Sequence, residues 1–220
     1  MTTVFYIGDS TVARNNIHTY PQTGMSQGLQ LYLTETVQVR SFAKNGRSTR
    51  SFLAEGRFAP VEQAMEPGDF LLIQFGHNDE KADPARHTDP DTTFCDNLRL
   101  FVTAARQRGA HPVLITPIAR RLFDEQGNFR PGSHGDYPAA VRRVGQETAT
   151  PVIDLTAVTE QWLPTLGDEA SRPYYMWPVD NTHLKPEGAV KMAGFLAQGL
   201  QTLGGVYAAL LAPPEETAGN

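Results

Sequence analysis

Gly8-Asp9-Ser10 stands where an apolar run, Val4-Phe5-Tyr6-Ile7, stops. A short β-rich run closed by glycine reads as a buried strand followed by a turn. The Ser10 hydroxyl is therefore expected at a strand's carboxyl end and at the start of a helix. That edge is where ligands bind in open α/β sheets, and a helix N-terminus favours developing negative charge. A serine becomes a nucleophile when a neutral imidazole takes its proton and an acid holds the imidazole in the right tautomer. Asp180-Asn181-Thr182-His183 offers both groups. An Asp three residues before a His, in a tight loop, can reach the ring's Nδ1 and leave Nε2 aimed at Ser10. Each motif also has a blander reading, with Ser and Asp as helix caps and Asp180 as a turn former.

Two more segments follow apolar runs: Gly76-His77-Asn78-Asp79 and Asn45-Gly46-Arg47-Ser48. A tetrahedral oxyanion needs two or three fixed donors about 3 Å from its oxygen. The N–H groups of Ser10 and Gly46 and the side-chain amide of Asn78 are of the right kind. Turn chemistry is the rival reading for the glycines and for Asn78. His77 could contact a substrate oxygen or buttress these donors, and Asp9 is expected to hold the turn through backbone N–H groups. Arg47, Arg50 and Arg57 follow the second apolar run, and Arg47 or Arg50 could fork onto a uronate carboxylate, with a solvated basic loop as the other reading. Tyr174, Tyr175 and Trp177 precede the Asp–His loop and could either stack on a sugar ring or close the core. Cys95, between Phe94 and Leu98, reads as a buried hydrophobe. His18, His87, His111 and His134 lie in no partner-rich motif and are given no role.

The elements that must position these residues alternate. Apolar runs at Val4–Ile7, Val37–Phe42, Phe70–Phe75, Pro112–Thr116 and Pro151–Leu155 read as five strands. Helical spacing is expected over Gly24–Leu33, from Asp89-Pro90 to Gly109, and from Pro186 until Gly204-Gly205. Such alternation implies a parallel sheet covered by helices on both faces. The polar stretches Arg120–Tyr137 and Leu166–Asp180 are expected to be long, site-shaping loops. At 220 residues, 40% hydrophobic and 20% charged, the chain fits one domain over residues 1–212 with a loose polar tail, 213–220. A net charge of −5 argues against a nucleic-acid binder, and no apolar run has the length of a membrane span. One cysteine and no visible export signal suit a cytoplasmic protein, unless a signal has been removed. Monomer and homodimer both remain open.

Taken together, GDSTV, NGRSTRSF (Asn45–Phe52), QFGHND (Gln74–Asp79) and DNTHLKPEGA (Asp180–Ala189) resemble the four blocks of the SGNH, or GDSL-type, hydrolases, in family order. GDST, the STR after the block-two glycine, and ARQRGAHPVLITPIARR (Ala105–Arg121) look like the rhamnogalacturonan acetylesterase branch. The resemblance implies a flavodoxin-like three-layer α/β/α fold with a five-stranded parallel sheet. It implies Ser10 as nucleophile, His183 as base, Asp180 as its orienting acid, and an oxyanion hole of Ser10, Gly46 and Asn78, with no metal or organic cofactor. The substrate it implies is an acetylated carbohydrate, for which His77, Arg50 and Trp177 are the candidate contacts from the reading of the residues above. A broad short-chain esterase, lipase or thioesterase on the same fold is the alternative, although the loops flanking the site are polar rather than apolar. A metal-dependent phosphoesterase would need more clustered Asp and His residues than the sequence provides. A binding module that has lost catalysis would have no need of the complete set.

Overall fold

The structure is a computed structural model, and it describes residues 1–213. Five strands, β1 (Thr2–Gly8), β2 (Val37–Ser41), β3 (Phe70–Gln74), β4 (His111–Ile115) and β5 (Val152–Ile153), form one parallel sheet in the order β2-β1-β3-β4-β5. The helices are α1 (Met25–Leu29), α2 (Thr49–Ala54), α3 (Ala59–Ala64), α4 (Thr93–Gln107), α5 (Tyr137–Glu147), α6 (Leu155–Ser171), α7 (Pro186–Leu203) and α8 (Gly205–Ala208). Alternate strand side chains enter opposite cores. Val4, Tyr6, Leu72, Val113 and Ile115 pack with Met25, Leu29, Met192, Leu196 and Leu200 from α1 and α7. Phe5, Ile7, Leu71, Ile73 and Leu114 pack with Phe94, Leu98, Phe101, Val141 and Val144 from α4 and α5. Burial on both faces is why FLLIQ reads as a continuous apolar run. Each such side chain contributes about 1.5–3 kcal/mol on leaving water.

This strand order is the flavodoxin-like one expected. It reverses direction between β1 and β3, and such a switch point opens a crevice beyond the carboxyl ends of the strands. Ser10 follows β1 and Asn78 follows β3, in register at Gly8↔Gln74.

Several boundaries differ from the sequence expectation. The helix expected over Gly24–Leu33 ends at Leu29 and tightens into a 3₁₀ turn, Gln30–Tyr32. Gln30 instead turns to the free edge of β2, donating to the Val37 carbonyl (3.0 Å) and accepting from the Val39 N–H (2.9 Å). The α4 helix begins at Thr93, not Pro90, because Asp89 Oδ1 takes the N–H groups of Asp91 and Thr92 into a turn. The stretch 166–180 is only partly loop. The α6 helix runs through Pro164 to Ser171, breaking at Gly167 (φ 81°, ψ 172°), and a 3₁₀ turn follows over Arg172–Tyr174. Of the tail expected over 213–220, residues 214–220 lie outside the described residues.

Candidate active site

Ser10 does not begin a helix, contrary to expectation. It sits in a single turn whose Val12 and Ala13 N–H groups bond to the Asp9 carbonyl (3.2 and 2.9 Å). The carbonyls of Thr11 and Val12 are then taken by Met25 and Ser26 at the start of α1, so the turn cannot propagate. Asp9 holds this turn as expected: its Oδ1 accepts from the Thr11 N–H and hydroxyl, both at 2.9 Å. Gly8 is required by close approach, since a Cβ there would stand 2.5 Å from the Gln74 carbonyl oxygen. Ser10 itself is buried, only 6% exposed.

The Asp180–His183 loop closes over this turn. An antiparallel bridge, Tyr175↔Leu184, fixes its base, with Met176 N–H donating to the His183 carbonyl at 2.8 Å. Within the loop Asp180 Oδ1 accepts the backbone N–H groups of Thr182 (2.8 Å) and His183 (2.7 Å). Its Oδ2 faces His183 Nδ1 at 2.9 Å, and His183 Nε2 lies 2.9 Å from Ser10 Oγ. Partial burial would raise the Asp180 carboxyl, but the two backbone donors and the imidazole hold it below the ordinary carboxylate range. The carboxylate therefore stays ionised where it faces the ring. Hydroxyl, imidazole and carboxylate stand in line, across 173 residues of sequence between the first two.

Gly46 has φ +78°, a left-handed conformation that favours glycine, and a Cβ on it would meet nothing within 4 Å. Asn78 is buried, its Nδ2 donating to the Arg47 carbonyl (3.1 Å) and its Oδ1 accepting from Arg86 Nη1 (3.4 Å). These contacts set the amide's orientation and leave one Nδ2 hydrogen uncommitted. Asp79 ties the Asn78 loop to the Gly46 loop: its Oδ1 accepts from the Thr49 N–H at the start of α2 (3.0 Å) and from the Thr88 hydroxyl (2.9 Å). Burial nevertheless pushes the Asp79 carboxyl up to about 7.

The expected substrate contacts separate. His77 is 3% exposed and offers little surface to a substrate. Its Nδ1 lies 3.3 Å from Asp9 Oδ2, at ion-pair distance but without hydrogen-bond alignment. Its ring meets His134 edge-on, centroids 4.4 Å apart. Burial lowers the His77 imidazole below its ordinary value, while Asp9, despite its own burial, is held low by His77 and Thr11. Arg47 Nε is shared between the two Glu55 oxygens (3.1 Å to each), and the same carboxylate also pairs with Arg57. Arg50 is exposed, with Nη1 donating to the Pro84 carbonyl (3.2 Å). Trp177 is 36% exposed, whereas Tyr175 is fully buried with its hydroxyl on the Ala119 carbonyl, and Tyr174 packs on Trp162.

Four residues given no role by sequence reasoning, His134, Glu80, Arg120 and Arg121, border the site. His134 is buried, bonding Glu80 through Nδ1 (3.1 Å) and the Ile118 carbonyl through Nε2 (2.8 Å), and Glu80 also pairs with Arg120. Arg121 is the largest fully buried side chain. In the sequence Arg120 and Arg121 stand at the end of the Ala105–Arg121 segment, with no role attached to either. Among the described residues no three His, Cys, Asp or Glu side chains are grouped to hold a metal ion, and no helix is long and apolar enough to cross a membrane.

The doubly wound sheet thus carries a serine, a histidine and an aspartate in line at its switch point. Residues 6–190 match the GDSL-like lipase/acylhydrolase family, and the chain belongs to that family. It is 40% identical over 213 residues to the rhamnogalacturonan acetylesterase RhgT of Bacillus subtilis, covering 91% of this chain and 90% of the relative. The crystal structure of protein YxiM from Bacillus subtilis superposes with a TM-score of 0.82 at 27% identity, over 92% of this chain and 56% of that one. The acetylxylan esterase Axe2 of Geobacillus stearothermophilus shares the fold, with a TM-score of 0.66 at 20% identity over 94% and 95% of the two chains.

Proposed function

We propose that this protein is a serine esterase that removes O-acetyl groups from carbohydrate, with acetylated rhamnogalacturonan oligosaccharides as its substrate class. The observation that carries the chemistry is the alignment of Ser10 Oγ, His183 Nε2 and Asp180 Oδ2 through two contacts of 2.9 Å. The substrate class is supported by the 40% identity to a rhamnogalacturonan acetylesterase over nearly the whole of both chains.

Ser10 Oγ attacks the acetyl carbonyl carbon while His183 Nε2 takes the hydroxyl proton. The carbonyl oxygen becomes an oxyanion that faces the N–H groups of Ser10 and Gly46 and the free Nδ2 hydrogen of Asn78. Collapse of this intermediate breaks the bond to the sugar oxygen, which receives the proton from His183, and leaves Ser10 acetylated. Water then loses a proton to His183 and attacks the acetyl carbonyl, acetate departs, and the proton returns to Ser10. Throughout, Asp180 keeps Nδ1 protonated and stabilises the imidazolium.

Acetate release from acetylated rhamnogalacturonan oligosaccharides, beside p-nitrophenyl acetate and p-nitrophenyl octanoate, tests this reading. The account expects acetate from the oligosaccharide and at least a tenfold preference for the acetate ester. Equal or better turnover of the octanoate, with no acetate from the sugar, would favour the lipase or thioesterase alternative.

A further inference from the structure

Arg121 is only 1% exposed, yet it carries a permanent positive charge. Burying a guanidinium costs several kcal/mol unless its donors are matched, and an apolar side chain of similar size would often fill such a space more cheaply. The donors are matched in a specific way. Nε donates to Ser171 Oγ (2.8 Å) and Nη2 to the Asp168 carbonyl (2.6 Å), with the Asp168 carboxylate as counter-ion. Nη1 donates to Asn181 Oδ1 (3.2 Å), and the Arg121 backbone N–H donates to the Asn181 carbonyl (2.9 Å). The guanidinium carbon Cζ also lies 4.8 Å from the centroid of the Trp177 ring and 5.2 Å from that of Phe123. One residue just past β4 thus grips the end of α6 and both polar ends of Asn181, which stands between Asp180 and His183.

We propose that Arg121 is a positioning residue for ester hydrolysis: it clamps Asn181 and Trp177 and so holds the Asp180–His183 loop over Ser10. The proposal rests on the reading of Ser10, His183 and Asp180 given above. The Tyr175↔Leu184 bridge secures the base of this loop, but the bend carrying Asp180 and Asn181 is tied to the neighbouring elements through Arg121. Loss of the clamp lets His183 drift from Ser10, and a displacement of about 1 Å at a reacting group can cost about a hundredfold in rate. Lysine cannot substitute, because a point charge cannot serve Ser171, Asp168 and Asn181 at once.

The test uses Arg121→Ala, Arg121→Lys and Asn181→Ala with p-nitrophenyl acetate, each assayed at least 10 °C below its own melting temperature. We expect both Arg121 variants to lose 10- to 100-fold in kcat with KM changed less than threefold, and Asn181→Ala to lose about fivefold in kcat alone. Guanidinium chloride at low millimolar concentration should raise kcat of Arg121→Ala at least threefold, while equal sodium chloride should not. If Arg121→Ala fails to fold, Asn181→Ala and Arg121→Lys still decide the matter. Folded variants with kcat within twofold of the parent, or losses confined to KM, would overturn the proposal. Ser10→Ala, run in parallel, separates the two readings: full activity in that variant defeats the triad itself, whereas an inactive Ser10→Ala beside active Arg121 and Asn181 variants defeats only the clamp.

Discussion

Replacing Asp180 by Asn should disable the enzyme without disturbing its fold, and the geometry says why. Asp180 Oδ1 accepts two backbone N–H groups at 2.7 and 2.8 Å, and its Oδ2 faces His183 Nδ1 at 2.9 Å. An asparagine has one accepting oxygen, and the two backbone donors claim it, since an NH₂ turned toward them would clash donor against donor. The NH₂ must therefore point at Nδ1 and donate to it. The ring then carries its proton on Nε2, the atom 2.9 Å from Ser10 Oγ, and it can no longer accept the serine proton. A wrong tautomer held in unchanged geometry costs about 10⁴ in turnover, or about 5.5 kcal/mol in the barrier. Steady-state hydrolysis of p-nitrophenyl acetate, together with a melting curve, reads both halves of the prediction. An Asp180→Asn variant within tenfold of the parent turnover would refute the reasoning, as would an equal loss explained entirely by unfolding.

Asn78→Ala should lower turnover about 100-fold or more with little change in KM, because it removes the uncommitted Nδ2 donor; near-full turnover would take Asn78 out of the scheme. Asp79→Asn should flatten the dependence of stability on pH. With its folded value raised from 3.8 to about 7, Asp79 keeps its proton in the folded protein at pH values where the unfolded chain has lost it. Its contribution is therefore fully present below about 3.8 and lost as pH rises through about 7, at most about 4 kcal/mol in all. Urea midpoints from pH 5 to 8 should fall more steeply for the parent than for Asp79→Asn, and parallel slopes would contradict this. Gly46→Ala should lose about 1–2 kcal/mol of stability by urea titration, from left-handed backbone strain rather than a clash, and an unchanged midpoint would deny that strain.

What could be read from the chain was what is local in sequence or periodic. Asp180 and His183 are three residues apart, so their contact follows from one tight turn. Both faces of the sheet are covered, so its strands stand out as apolar runs. The facing of Ser10 and His183 could be inferred only because each follows or precedes an element whose place in a doubly wound sheet is fixed. The rest depended on long-range partners that composition conceals. An arginine reads as exposed, and nothing in ARR announces that Arg121 meets Ser171 and Asn181, 50 and 60 residues on. His134 lay outside every motif because Glu80 and Ile118 complete its bonds from distant segments. Arg47 could be read as a free carboxylate reader, but its Nε is bonded to Glu55, eight residues on within the protein. The helical end of α6 was hidden by the polar run after Gly167 and by the interior Pro164.

The account turns on Ser10 being the nucleophile. Incubation with diethyl p-nitrophenyl phosphate, followed by mass mapping of peptides, should find one diethylphosphoryl group per chain, on Ser10, appearing in step with the loss of esterase activity. Modification should be slowed at least a hundredfold in His183→Ala. Complete inactivation with Ser10 unmodified, or full activity retained by a chain labelled at Ser10, would contradict it.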